Sequence, residues 1–157
     1  MPAQLSYAAK PPAGSPGLLY SQGSGVLEVS SFSAENAIAF GDAVMAGTDG
    51  SKQVKKLAGD ATKFSGVAVY ASEALEGDGD KSYVAEDMAA VVQIGKVWVK
   101  AGGAVTVNAE VTPSIVGGQK FSAGTAATGA FVRAIARTAA AADGDIMLIE
   151  LFTDIVA

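Results

Sequence analysis

Residues 89–111, AAVVQIGKVWVKAGGAVTVNAEV, constrain the fold more than any other stretch of the chain. β-Branched residues crowd it, and it holds the only tryptophan of the sequence. In an extended chain successive side chains point to opposite faces, so Val97 and Val99 share one face while Lys96, Trp98 and Lys100 share the other. That alternation describes a strand buried on one side, with lysine stems lying along an indole on the other. Upstream, Val91, Val92 and Ile94 are apolar on both faces, which starts the strand deep in a core and brings it out near Gly95. Gly95 reads as a bulge or a close backbone approach. The Gly102-Gly103 pair reads as a turn whose length is set by register. A two-residue loop puts Val105 and Val107 against Lys100 and Trp98; a three-residue loop, residues 101–103, puts them against Val99 and Val97. The apolar match favours the second, a hairpin.

What the chain lacks excludes much chemistry. Its 157 residues contain neither cysteine nor histidine. That removes thiol nucleophiles, disulfides, the usual transition-metal sites and the side chain best suited to proton transfer near neutrality. No cofactor is implied. A net charge of -5 speaks against a nucleic-acid partner, whose phosphates demand basic residues. Residues 1–10 lack the basic start and apolar core of a signal peptide, and Lys96 and Lys100 interrupt the best candidate for a membrane span. The expectation is a soluble chain made in a cytoplasm, without a membrane partner. Its positive mean hydropathy points to a surface partly covered by other subunits.

Along the chain, residues 1–25 stand apart. Four of the five prolines (Pro2, Pro11, Pro12, Pro16) lie there, which prevents a helix and favours extended backbone. Leu5, Tyr7, Leu18, Leu19 and Tyr20 punctuate it. A loose terminus is one reading; an arm that lies on a neighbouring subunit, with these five side chains as anchors, is the one preferred here. From residue 26 to 157 the pattern is a single β-domain of short strands separated by turn residues, which suggests a sandwich or barrel. Strands are expected at residues 26–30, 38–40, 43–46, 53–57, 65–71, 83–86, around Phe121, and at 130–138 and 146–152. A faint repeat runs through them. Shifting by 67 lays Ile38, Phe40, Gly41 and Val44 on Val105, Val107, Asn108 and Val111; shifting by 66 lays Ala68, Val69 and Ser72 on Ala134, Ile135 and Thr138. Glycine and asparagine best tolerate a left-handed backbone, so Gly41 and Asn108 could fill one turn position. The repeat is either an old duplication or two sheets using the same turn.

No motif in the sequence carries recognisable catalytic or metal-binding chemistry. Glu76, Asp78 and Asp80 alternate with glycine, but Lys81 and Asp87 occupy the positions where a calcium-binding EF-hand needs glycine and glutamate. The same carboxylates lack the aromatic platforms of a sugar hydrolase. There is no phosphate-binding loop, and no nucleophile elbow. Lys52, Lys55 and Lys56, without interleaved arginine or aromatics, read as a solvated strand edge. Arg133 and Arg137 are the only arginines, on a strand otherwise small and apolar, and are interface candidates. Trp98 beside two lysines is the best candidate for a sugar platform, in an alternative reading of the chain as a carbohydrate-binding β-sandwich module on a tail or cell surface; half-buried packing is the commoner role for such a tryptophan.

The order of these pieces resembles the capsid cement, or decoration, proteins of tailed bacteriophages. The resemblance is carried by AFGDAVMAGTDGS (39–51), SGVAVYAS (65–72), GKVWVKAGGAV (95–105), AFVRAIART (130–138) and DGDIMLIEL (143–151), and covers residues 37–151. The Gly–basic–Val–Trp–Val segment followed by Gly-Gly-Ala-Val is its most specific part. Asn108 stands where the family is expected to have glycine. The resemblance implies an all-β fold, a small jelly-roll or tulip-like sandwich or barrel with an extended N-terminal arm. It also implies a structural protein without enzymatic activity. Its partners would be the major capsid protein and further copies of itself, as a dimer or trimer, on the outer capsid surface of a virion assembled in a bacterial cytoplasm. Leu5, Tyr7, Leu18, Leu19, Tyr20, Trp98, Arg133 and Arg137 are the interface residues this reading nominates.

Overall fold

The computed structural model describes residues 16–20, 27–70, 82–116 and 119–153, and in them the chain is all-β apart from one short 3-10 turn, Ala61–Lys63. In chain order the strands are β1 (Leu19–Tyr20), β2 (Glu28–Ala34), β3 (Ile38–Ala39), β4 (Ala43–Ala46), β5 (Gln53–Lys56), β6 (Gly66–Ala68), β7 (Ser82–Tyr83), β8 (Met88–Lys100), β9 (Glu110–Pro113), β10 (Phe121–Ala123), β11 (Val132–Ala136) and β12 (Ile146–Thr153). The stretch singled out by its valines is β8, at 13 residues the longest. Its first half pairs with β2 and β6, its second half with β12 and β1. The change of partner falls at a bulge: Glu28 pairs with Ile94 but Val29 with Val92, leaving Gln93 as the extra residue. Next to it, Gly95 has φ 135, and a Cβ there would lie 2.7 Å from Leu27 Cδ1, so the expected bulge and the expected close approach are adjacent.

Each half of β8 closes a five-stranded barrel. In the first, β2, β8, β6, β4 and β5 pair antiparallel in turn, and a parallel contact of β5 with β2 shuts the ring. Alternate side chains fill it: Ala34, Val44, Val54, Ala68, Ala89 and Val91 form one buried cluster with Ile38, Phe40 and Tyr83. In the second, β8, β12, β11, β9 and β10 follow the same order, closed by a parallel bridge between Ala101 and Phe121. Its interior holds Ala101, Val111, Phe121, Ala136, Met147 and Ile149.

The two barrels are one unit used twice. The pairs Val44–Lys56, Met45–Lys55 and Ala46–Val54 recur as Val111–Ala123, Thr112–Ser122 and Pro113–Phe121, an offset of 67 on both strands. The closing contact Ala34–Val54 recurs as Ala101–Phe121. The pairing of Ser30 with Val91 recurs as Val97 with Ile149, so the second half of β8 is the counterpart of β2, and β12 the counterpart of the first half of β8. Turns match as well. Gly41 (φ 88) and Asn108 (φ 66) hold the same left-handed position, as do Glu86 (φ 72) and Gly144 (φ 88). The one adjustment to the sequence alignment concerns β6. Ala68 N–H donates to Asp42 O and Ala136 N–H to Ala109 O, so the late strand aligns at an offset of 68, not 66.

One expectation is corrected. There is no hairpin after β8. Val105 bridges Ala140 rather than Val99, and the next strand begins at Glu110. The reason is that β8 has no edge left for a returning strand: β12 takes Val97 and Val99, β1 takes Lys96 and Val97, and Ala101 N–H donates to Asp145 O. At Lys55 and Lys56 strand β5 pairs with β4 on one side, while its pairing with β2 stops at Gln53 and Val54, in keeping with the strand edge expected there. Lys56 Nζ lies 3.5 Å from Asp42 Oδ2, whose carboxylate also accepts from Ala39 N–H.

Two predictions follow from this architecture. Because β8 belongs to both rings, Ile149→Ala in the second barrel, where Ile149 is fully buried, is expected to cost about 2–5 kcal/mol and to shift one cooperative urea transition without splitting it. Burial pushes the Asp42 carboxyl above its ordinary 3.8, with Lys56 opposing the shift. The folded state therefore holds that proton more tightly than the unfolded chain, so stability falls as pH rises through the window between 3.8 and the raised value. Thermal melts of wild type and Asp42→Asn from pH 3 upward should show wild type at its best relative to the variant at the acid end, with the difference flat above that window.

Candidate functional site

The outer face of the second barrel gathers most of the nominated side chains. Because faces alternate along a strand, register alone sorts them. Trp98 stands opposite Leu148 of β12; on its other side Trp98 N–H donates to Leu18 O at 3.0 Å and Gly17 N–H donates to Trp98 O at 2.7 Å. One residue pair along, Tyr20 stands opposite Lys96, Lys96 opposite Glu150, Glu150 opposite Ile135, and Ile135 opposite Glu110. A further pair on, Arg133 faces Phe152. Leu18, Tyr20, Trp98, Arg133 and Arg137 thus share one face, which runs across β1, β8, β12, β11 and β9. Leu19 does not: paired with Val97, it packs against the core. Leu5 and Tyr7 lie outside the described residues, as do Glu76, Asp78 and Asp80.

The charges of this face are tied to one another. Arg133 Nη2 lies 3.0 Å from Glu110 Oε1, and its guanidinium sits 5.5 Å from the Phe152 ring centroid. Glu110 also accepts from Ala126 N–H, which fixes the loop after β10. Arg137 Nε donates to Glu150 Oε2 at 2.6 Å, and its Nη1 to Asn108 Oδ1 at 3.1 Å. Lys96 Nζ lies 6.0 Å from the Tyr20 ring centroid. Such partly solvated pairs contribute little stability, but they hold long side chains in fixed positions. The arrangement suits a docking surface: half-buried Trp98, Leu18, Ile135 and Phe152 supply apolar area, and a ladder of paired charges surrounds them. Sequence reasoning missed Glu110, Leu148, Glu150, Ile135 and Phe152. The alternation Ile146, Leu148, Glu150, Phe152 carried the signal for the β12 members, while the Glu110 pairing depends on β9, whose place the hairpin expectation misassigned.

The duplicated unit gives this face a counterpart. In the first barrel the equivalents of Glu110, Thr112, Ile135, Arg137 and Glu150 are Ala43, Met45, Val67, Val69 and Val92. All five are buried, in a cluster continuous with the second barrel's interior. The junction is marked by Phe64, edge-on to Phe121 at 5.8 Å between ring centroids, and by the bridge of Ala58 to Val116. One copy of the face is thus an apolar interface inside the molecule, and the other carries charges and faces outward.

Among the described residues no three carboxylates gather into a metal-sized cluster, and no helix is long and apolar enough to cross a membrane. A small cleft lined by Phe40, Asp42, Lys100 and Lys120 has its carboxylate already engaged by Lys56.

Comparison with known proteins gives the class. The model of a family described as structural cement protein (E217 gp24/Pam3 gp6) matches residues 3–152. The chain therefore belongs to the phage structural cement protein family, and the match takes in most of the N-terminal stretch that the sequence resemblance left out. Among solved structures, a chain from the capsid of Myoviridae phage XM1 has the same fold, with TM-score 0.63 at 15% identity, over 96% of this chain and 97% of that one. No curated protein matches by sequence.

If the Arg137–Glu150 pair acts as a surface clamp, Glu150→Arg should lower stability by about 1 kcal/mol or less, and adding Arg137→Glu should recover most of the loss in a urea double-mutant cycle.

Proposed function

We propose that this chain is a capsid cement protein that binds the outside of an assembled phage head across the boundaries between major capsid subunits, holds neighbouring subunits together, and carries out no reaction. The single observation that carries the reading is membership, over nearly the whole chain, of a family of structural cement proteins. The outer face of the second barrel is the docking surface: its counterpart in the first barrel already serves as an interface. With its charges paired, Trp98, Leu18 and Tyr20 can be desolvated at modest cost while Arg133 and Arg137 orient the contact. Each contact is small, so retention on the shell comes from multivalency, with two or three copies associating and each touching more than one capsid subunit. The N-terminal residues, with Leu5 and Tyr7, order on docking and add to the grip. The setting is the virion's outer surface, with synthesis in the bacterial host cytoplasm. Trp98 lies between Leu18 and Leu148 rather than on an open platform, which favours this reading over a sugar-binding module.

Purified heads stripped of cement protein provide the test. Trp98→Ala combined with Arg137→Ala is expected to weaken retention about tenfold or more, while Lys63→Ala, an exposed position on the other barrel, leaves it unchanged. Removal of residues 1–15, which spares the paired segment 16–20, is expected to lower occupancy. Equal retention of all variants would overturn the assignment of the face and of the arm.

A further inference from the structure

The two barrels differ at one equivalent edge. In the second barrel, the edge of β8 at Lys96–Trp98 is covered by this chain's own residues 17–20, through the bonds of Trp98 with Gly17 and Leu18 and the pairing of Tyr20 with Lys96. In the first barrel the matching edge is that of β2 at Val29–Ser31. Among the described residues β2 pairs there with β8 alone, and β5 reaches only Ser33 and Ala34. Leu27 and Val29, 48% and 40% exposed, lie at that edge. A strand edge with no partner among the described residues, beside exposed aliphatic side chains, is a template for strand addition.

The chain carries a segment that fits. The covering segment in the second barrel reads Leu18-Leu19-Tyr20, and Leu5-Ser6-Tyr7 repeats its Leu-x-Tyr spacing inside AQLSYAA (3–9), which alternates at strand period. We infer that residues 3–9 of one copy add as an antiparallel strand to β2 of a neighbouring copy. Carrying over the β1 register sets Leu5 opposite Ser31, Ser6 opposite Ser30 and Tyr7 opposite Val29. Leu5 then lies over a small residue, Tyr7 covers Val29 beside Leu27, and Lys10 falls near the exposed Glu28. A neighbour rather than the same molecule receives the segment because a return onto its own β2 would have to reverse within residues 10–15, where Pro11 and Pro12 restrict φ and have no N–H to donate. The inference deepens the arm's role in the proposed function, on which it rests for the presence of neighbouring copies.

The chain has no cysteine, so a single engineered pair reports the contact. Ser6→Cys with Ser30→Cys places two thiols directly opposite each other in a non-hydrogen-bonded pair, within disulfide reach. Oxidised under mild conditions, both as concentrated free protein and on decorated heads, this variant is expected to give chains covalently linked to one another on a non-reducing gel. Each single cysteine variant should give none of that product beyond a trace, and adding Tyr7→Ala should lower the yield severalfold. Loss of free thiols without linked chains would mean the segment folds back on its own β2 and would overturn the inference, as would free thiols in both settings. Linkage in solution by a protein that ignores heads would uphold the strand exchange while removing the capsid role; head binding without linkage would do the reverse.

Discussion

Everything in this molecule depends on β8 serving two rings. A strand buried on both faces at its start and on one face at its end cannot sit in a single small barrel with uniform surroundings. The bulge at Gln93, with Gly95 beside it, re-aims the strand so that Val91 fills one interior and Val97 and Val99 fill the next. The register of eight other strands follows from those two halves. A substitution that disturbs β8 is therefore felt on both sides of the junction, because its two halves, one in each ring, are a single continuous strand.

The duplication explains why a chain with so few aromatic and charged residues can still carry a specific surface. Closing each ring pairs most strand edges internally, and the interior positions stay apolar in both copies, three of them identical (Ala34 and Ala101, Val44 and Val111, Ala68 and Ala136). Divergence is concentrated outside. Where one copy has Ala43, Val67, Val69 and Val92 at the junction, the other has Glu110, Ile135, Arg137 and Glu150. The second set is affordable because every arginine there meets a carboxylate.

Much of this was legible in the residues. The period-two alternation of β8 named its buried side correctly, with Val97 and Val99 fully buried and Trp98 half-buried. The all-β class, the Gly41–Asn108 equivalence and the 67-residue repeat were likewise visible, because each rests on local backbone preference or pattern. What was not legible is who pairs with whom. A glycine pair after a strand favours a hairpin locally, but closure of the ring gave the β8 edge to β12, about fifty residues on in the chain, and placed Val105 against Ala140. Local turn chemistry lost to a nonlocal pairing that satisfies more backbone groups at once. The same nonlocality hid Glu110 and Glu150 as partners of the two arginines, although the arginines themselves drew notice by their rarity.

Joining two copies of one barrel in a single polypeptide frees them from a constraint that binds any symmetric homodimer. In such a dimer both protomers must display identical surfaces, so a face greasy enough to seal the contact is greasy wherever it is not sealed. Here the faces are encoded separately. One could drift toward valine and methionine while its twin drifted toward salt, and the contact between them no longer depends on how dilute the protein is.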